Sequence, residues 1–217
     1  MLVLEGGHVF KDPETKQPLT QRINQADVEP TLKWLENILN IDLVNNTIGT
    51  TGKKPTSGDL DIAVDSEEYS KEEVIASLAR WVDENISDAN LKDYIAKTGI
   101  EVHFKTPING DAANGYVQTD LMFGDAEFMK WSSQGEDVDK FRGQHRMILL
   151  ASIASFKGYR WSGFNGLTPR LGGETIRNTQ KITDILIGSG HSPDDLTSID
   201  KILNIIKDDP DYEKMIA

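Results

Sequence analysis

The sequence predicts a mixed α/β fold, with an α+β core over residues 1–135 and a helical subdomain over 136–217. Three observations carry that expectation. The runs "DLDIAV", "IEVHFKTPI" and "GYVQTDLMF" alternate polar and apolar residues with the period of two that a half-buried strand needs. Around them, apolar residues recur at helical spacing. From about Asp139 onward the helical period dominates, in "FRGQHRMILLASIASFKG" and "ETIRNTQKITDILIG".

Each element follows from local chemistry. Asp27 is placed to cap a helix running to Leu39, with Leu32, Leu35, Ile38 and Leu39 along one face. "LVNNTIGT" reads as a short strand entering a glycine-rich turn. "DLDIAV" then places Asp59 and Asp61 on one face and Leu60, Ile62 and Val64 on the other. "SKEEVIASLARWVDEN" opens with Ser70 and Glu73 in capping-box spacing, and Ile75, Leu78 and Val82 continue it at helical intervals. "NGDAAN" joins the two later alternating runs as neighbouring strands. In "SPDDL", Ser192 as cap and Pro193 at the first helical position announce a last helix.

The chain has 217 residues and no cysteine, which excludes disulfides, thiolate chemistry and cysteine-based zinc sites. "MLVLEGGHVF" lacks a basic leader and a long apolar run, and no other stretch is long enough to cross a bilayer. A soluble, cytoplasmic protein with no membrane partner is expected.

A net charge of −12, evenly spread, would disfavour nucleic acid. The charge is not even. Residues 140–181 hold eight basic residues against the single acid Glu174, a net +7, so the remainder sums to −19. Phe141, Phe156, Tyr159, Trp161 and Phe164 are threaded through that stretch. Cations interleaved with aromatics suit phosphates and stacked bases, and Arg142 and Arg146, one turn apart, are placed to reach phosphates. A solvated cationic helix face accounts for the same composition equally.

Asp-x-Asp spacing occurs three times, at 59/61, 137/139 and 209/211, so spacing alone does not select a site. Context does. Only the first pair lies on a strand with an apolar reverse face, directly after "GTTGKKPTSG". Two carboxylates at close range repel unless a cation lies between them. Hard divalent ions share carboxylate and phosphate oxygens, and Lys53, Lys54 and the loop's amides suit a triphosphate tail. A third carboxylate on a neighbouring strand would permit two metals, and Asp120 is the candidate. The Walker phosphate loop does not fit: Thr47 stands at its first glycine and Lys54 at its hydroxyl position. His103 shares the acids' strand parity, although a lone histidine is more often a satisfied polar residue.

"IGTTGKKPTSGDLDIAV" followed by "VQTDLMF" resembles the nucleotidyltransferase superfamily of DNA polymerase beta. There a hydrophobic strand leads through Gly-Ser and a short loop to Gly-Asp-x-Asp, with a third Asp on a later strand. "FGDAEFMKWSSQG" and "ASIASFKGYRWSGFNGL" are similar to segments that follow in the family X polymerases, so the likeness spans residues 45–170. It implies an enzyme with a mixed sheet flanked by helices, using two Mg²⁺ ions, replaceable by Mn²⁺, to move a nucleoside monophosphate from an NTP or dNTP to an acceptor hydroxyl. By that likeness Asp59, Asp61 and Asp120 hold the metals and Asp120 helps deprotonate the acceptor. Gly49, Thr50, Lys53, Lys54, Ser57 and Gly58 bind phosphates, and Trp131 and Ser132 support the sugar and base.

The departures matter as well. Thr50 replaces a serine, Lys53 stands where arginine is common, and Gln118 occupies the usual arginine position before the third Asp. Met147 and Ala151 sit at template-reading positions, and no helix-hairpin-helix anchor is evident. Transfer without a template is therefore the first expectation, with nucleic acid a candidate acceptor through residues 140–181. A minimal repair polymerase and a catalytically silent nucleotide-binding module are the alternatives.

Overall fold

Alternation along "DLDIAVD" becomes β3, Asp59–Asp65, whose Leu60, Ile62 and Val64 are fully buried. The computed structural model describes residues 9–134 and 143–216. Lys140, Phe141, Arg142 and the Asp137/Asp139 pair lie outside the described residues. The chain divides into two units, the first ending at Ala126 and the second beginning at Glu127. The division falls at the start of a helix, earlier than the expected boundary at 135.

In the first unit, β3 pairs in parallel with β6, Tyr116–Gly124, and β6 pairs antiparallel with β5, Glu101–Pro107. A short outer strand, β4, Ile95–Thr98, completes the order β3-β6-β5-β4. Only four residues long, "IAKT" carries too little alternation to stand out. One sheet face bears Leu60, Ile62, Val64, Val102, Phe104, Val117 and Leu121, packed with α1, Gln25–Leu39, and α2, Lys71–Asn85. Each such side chain contributes about 1.5–3 kcal/mol by leaving water. The acids stand on the opposite face.

The capping box of α2 forms as its sequence requires: the Glu73 N–H donates to Ser70 Oγ, and the Glu73 carboxylate accepts the Ser70 N–H. α1 begins earlier than expected, after Asn24. Asp27 lies in its first turn, where the carboxylate faces the positive helix end. A two-residue ladder, β1 (Ile23–Asn24) with β2 (Thr56–Ser57), ties the start of α1 to the glycine-rich loop.

"LVNNTIGT" does not form the expected strand. Glu36 Oε1 accepts the Leu43 and Val44 N–H groups at 2.7 and 2.9 Å, which bends the backbone into a single 3₁₀ turn, Val44–Asn46. A lone bridge from Thr47 to Ile62 is what remains of the pairing.

The second unit is mostly helical: α3 (Ala126–Ser133) after its first residue, α4 (Gly143–Phe156), α5 (Thr179–Ile187), α6 (Ile199–Ile206) and α7 (Tyr212–Met215). Leu150, Ile153, Leu167, Ile182, Leu186 and Ile202 fill its core. It is not all helix. The glycine-rich connection folds into a hairpin, β7 (Tyr159–Ser162) with β8 (Gly166–Pro169), and Ile176 pairs with Leu167 where α5 was expected to have begun. Asn178 Oδ1 accepts the Lys181 N–H and starts α5 later. "SPDDL" is a separate 3₁₀ turn, Pro193–Leu196, ahead of α6. Among the described residues no helix is long and apolar enough to cross a membrane.

Candidate metal centre

Side chains two apart on a strand share a face, so Asp59 and Asp61 point together from β3. The parallel register then sets Asp120 of β6 directly opposite Asp61. One carboxylate oxygen from each of Asp59, Asp61 and Asp120 lies within 4.8 Å of the others, and Asp120 is only 8% exposed. Concentrating three acids this way is costly, and the cost falls on Asp61, which stands between the other two. Burial first, then the charges of Asp59, Asp120 and Glu101, push the Asp61 carboxyl up to about 8. A donor set made wholly of carboxylate oxygens fits a hard divalent cation such as Mg²⁺ or Mn²⁺, whose charge would relieve that crowding.

The loop over the acids is held from both ends. The Ile48 N–H donates to Asp61 O, and Thr51 Oγ1 accepts the Asp61 N–H, each at 2.9 Å. Gly49 has φ +62°, and a Cβ there would stand 3.5 Å from Asp61 Oδ2. The backbone therefore passes close to the Asp61 carboxylate. From α1, Gln25 donates its N–H to Pro55 O and its side-chain amide to Gly52 O.

Expected phosphate contacts are partly committed within the loop. Thr51 and Lys53 donate their N–H groups to Ile48 O and Thr50 O, and Gly52 donates to Ser57 Oγ. The cradle of backbone amides is correspondingly narrower than the sequence suggested. Lys53 Nζ donates to Gly49 O at 2.9 Å, which leaves two of its three hydrogens for other acceptors. Ser57 is buried beside Gly58 and retains its hydroxyl hydrogen. Thr50 is exposed and Lys54 partly so. Thr51, which spacing gave no reason to select, joins loop to strand.

Asp120 has partners that the sequence only hinted at. Gln118 Nε2 donates to both of its oxygens, at 2.9 and 3.0 Å, and Gln118 Oε1 accepts the Val9 N–H. His103 Nδ1 lies 2.7 Å from Asp120 Oδ1. Parity put His103 on this face, but register across three strands, which no motif encodes, brings it to the acid. Farther along the face, Lys105 is held between the rings of Tyr94 and Tyr116, at 4.0 and 4.9 Å, and burial lowers its ammonium from the usual range.

Trp131 and Ser132 belong to the second unit rather than to the acids' unit. Ser132 Oγ donates to Met129 O and Gly163 O. Trp131 packs with Phe128 and Trp161 at centroid distances of 5.7 and 6.3 Å. The expectation that Arg146 reaches phosphate is also revised. It is 4% exposed, and its guanidinium donates to Leu196 O and Ser132 O, both on buried residues. Lys157, Arg160, Arg170, Arg177 and Lys181 are exposed, as are Phe156 and Phe164, whereas Tyr159 and Trp161 pack against the core. No protein-family model matches this chain, and no curated protein matches it.

Proposed function

We propose that the chain is a Mg²⁺-dependent nucleotidyltransferase that moves a nucleoside monophosphate from an NTP or dNTP to an acceptor hydroxyl without a template. The observation that supports this most is the register of Asp61 with Asp120, which sets a third carboxylate beside the Asp59/Asp61 pair and under the loop of Gly49. Bound Mg²⁺ would neutralise triphosphate charge and make the acceptor hydroxyl more acidic. The residues do the rest. Asp59 and Asp61 hold the metal, with Asp120 completing the set. Lys53, Lys54 and the hydroxyls of Thr50 and Ser57 hold the phosphate tail. Asp120 takes the hydroxyl proton as the acceptor oxygen bonds to the α-phosphorus, and the bond to the β-phosphate oxygen breaks to release pyrophosphate. Positioning and charge neutralisation supply most of the acceleration in such a transfer.

The exposed cations Lys157, Arg160, Arg177 and Lys181 favour a nucleic-acid acceptor over a neutral one. The test is incubation with labelled triphosphates, Mg²⁺ and a mixture of oligonucleotide, protein and small-molecule acceptors. The expected result is a labelled acceptor and free pyrophosphate, with turnover abolished by Asp61→Asn. A strict requirement for a template strand would replace this reading with a repair-type polymerase. Triphosphate binding without turnover would overturn it in favour of a silent nucleotide-binding module.

A further inference from the structure

The rung that joins Asp61 to Asp120 continues across the sheet. Asp61, Asp120, His103 and Ala96 are successive partners on β3, β6, β5 and β4. His103 is 3% exposed, and a buried imidazole is stable only with both nitrogens satisfied. Nδ1 faces Asp120 Oδ1 at 2.7 Å, and Nε2 meets the Thr98 hydroxyl and lies 3.5 Å from Glu101 Oε2. A carboxylate that is to take a proton in the proposed transfer can only accept, which assigns the Nδ1 hydrogen to the bond with Asp120. The direct β4 neighbour, Ala96, offers just a methyl, and Thr98, two residues along, holds the outer nitrogen.

We propose that His103 is a positioning residue for the carboxylate set, a role that rests on the nucleotidyl-transfer reading. Its Nδ1–H fixes one oxygen of Asp120 while Gln118 Nε2 bridges both, and Gln118 is itself oriented by the Val9 N–H. Two donors from different strands leave the carboxylate a single orientation. Outer partners of this kind align metal-binding groups and typically govern affinity by about 10–100-fold. A histidine that merely fills the face would be replaceable by an apolar side chain of similar volume, at a cost in stability alone.

The full chain with His103→Leu and His103→Asn separates these roles, since an Asn amide reproduces the Nδ1 donor and Leu does not. Mn²⁺ affinity by calorimetry is the first readout, and kcat against KM for the triphosphate the second. The expected result is a loss of about 10–100-fold in Mn²⁺ affinity or kcat for His103→Leu with KM little changed, and recovery of most of it by His103→Asn. Folded His103→Leu protein with wild-type Mn²⁺ affinity and kcat overturns the proposal, as does Asn failing as badly as Leu. Should His103→Leu not melt cooperatively, Thr98→Val removes only the ring's outer partner; a smaller loss in the same direction supports the role, and no change overturns it. If the wild-type chain binds Mn²⁺ but transfers no nucleotide, the function above fails and the Mn²⁺ series still decides His103. A wild-type chain that binds no Mn²⁺ overturns both.

Discussion

The hydroxyl of Thr51 accepts the amide N–H of Asp61 at 2.9 Å, so the glycine-rich loop and the strand bearing the acids share a hydrogen bond at the residue where charge is most crowded. Thr51→Val keeps the shape and removes the acceptor. A buried N–H left without a partner costs about 1–3 kcal/mol. Urea unfolding should show that loss for Thr51→Val and little for Thr51→Ser.

Asp61 makes metal-free stability depend on pH. Its carboxyl stands at about 8 in the folded chain against 3.8 as a free side chain. Between those values the folded state keeps a proton that the unfolded state has released, so stability falls as pH rises and levels off above the upper value. Asp61→Asn removes the slope. In chelator at alkaline pH the variant should melt a few degrees higher than wild type, ~3 °C for each kcal/mol recovered. Near pH 4 the two should melt together. Added Mg²⁺ should stabilise wild type much more than the variant, as differential scanning calorimetry can show.

Gly49 has φ +62°, a conformation that a side chain adopts at a cost of about 1–2 kcal/mol. Gly49→Ala should lose about that much in urea unfolding. It should also weaken Mn²⁺ binding, because the strained loop no longer sits as closely over Asp61.

Arg146 serves the fold. Arg146→Met removes two charge-assisted hydrogen bonds to carbonyls of the second unit and should cost about 2–4 kcal/mol. Arg160→Ala, at an exposed position, should stay within about 0.5 kcal/mol of wild type. If Arg146→Met melts like wild type, its burial does not carry the weight assigned to it.

Much of this fold is legible in residue order because period and capping are local. The alternation of "DLDIAV" and the Ser70/Glu73 pair specify β3 and α2 unaided. Other features depend on distant partners. Glu36 bends "LVNN" from seven residues away, and Leu167 holds Ile176 in a bridge that delays α5. The acids' side of β3 follows from parity, whereas their union with Asp120 and His103 follows from strand register. The burial of Arg146 is not legible, because its spacing from Arg142 matches a solvated face as well as a buried one, and its partners Ser132 O and Leu196 O lie 14 and 50 residues away.

The parallel ladder of β3 and β6 also bears on when the three acids come together. Strands that run the same way cannot be joined by a tight turn, and the chain between Asp61 and Asp120 holds α2, β4 and β5. Closing so long a segment is slow compared with forming any single helix. A cation site built on these acids would therefore exist only once β3 and β6 are paired: a nascent or half-collapsed chain possesses all three acids yet does not hold them together.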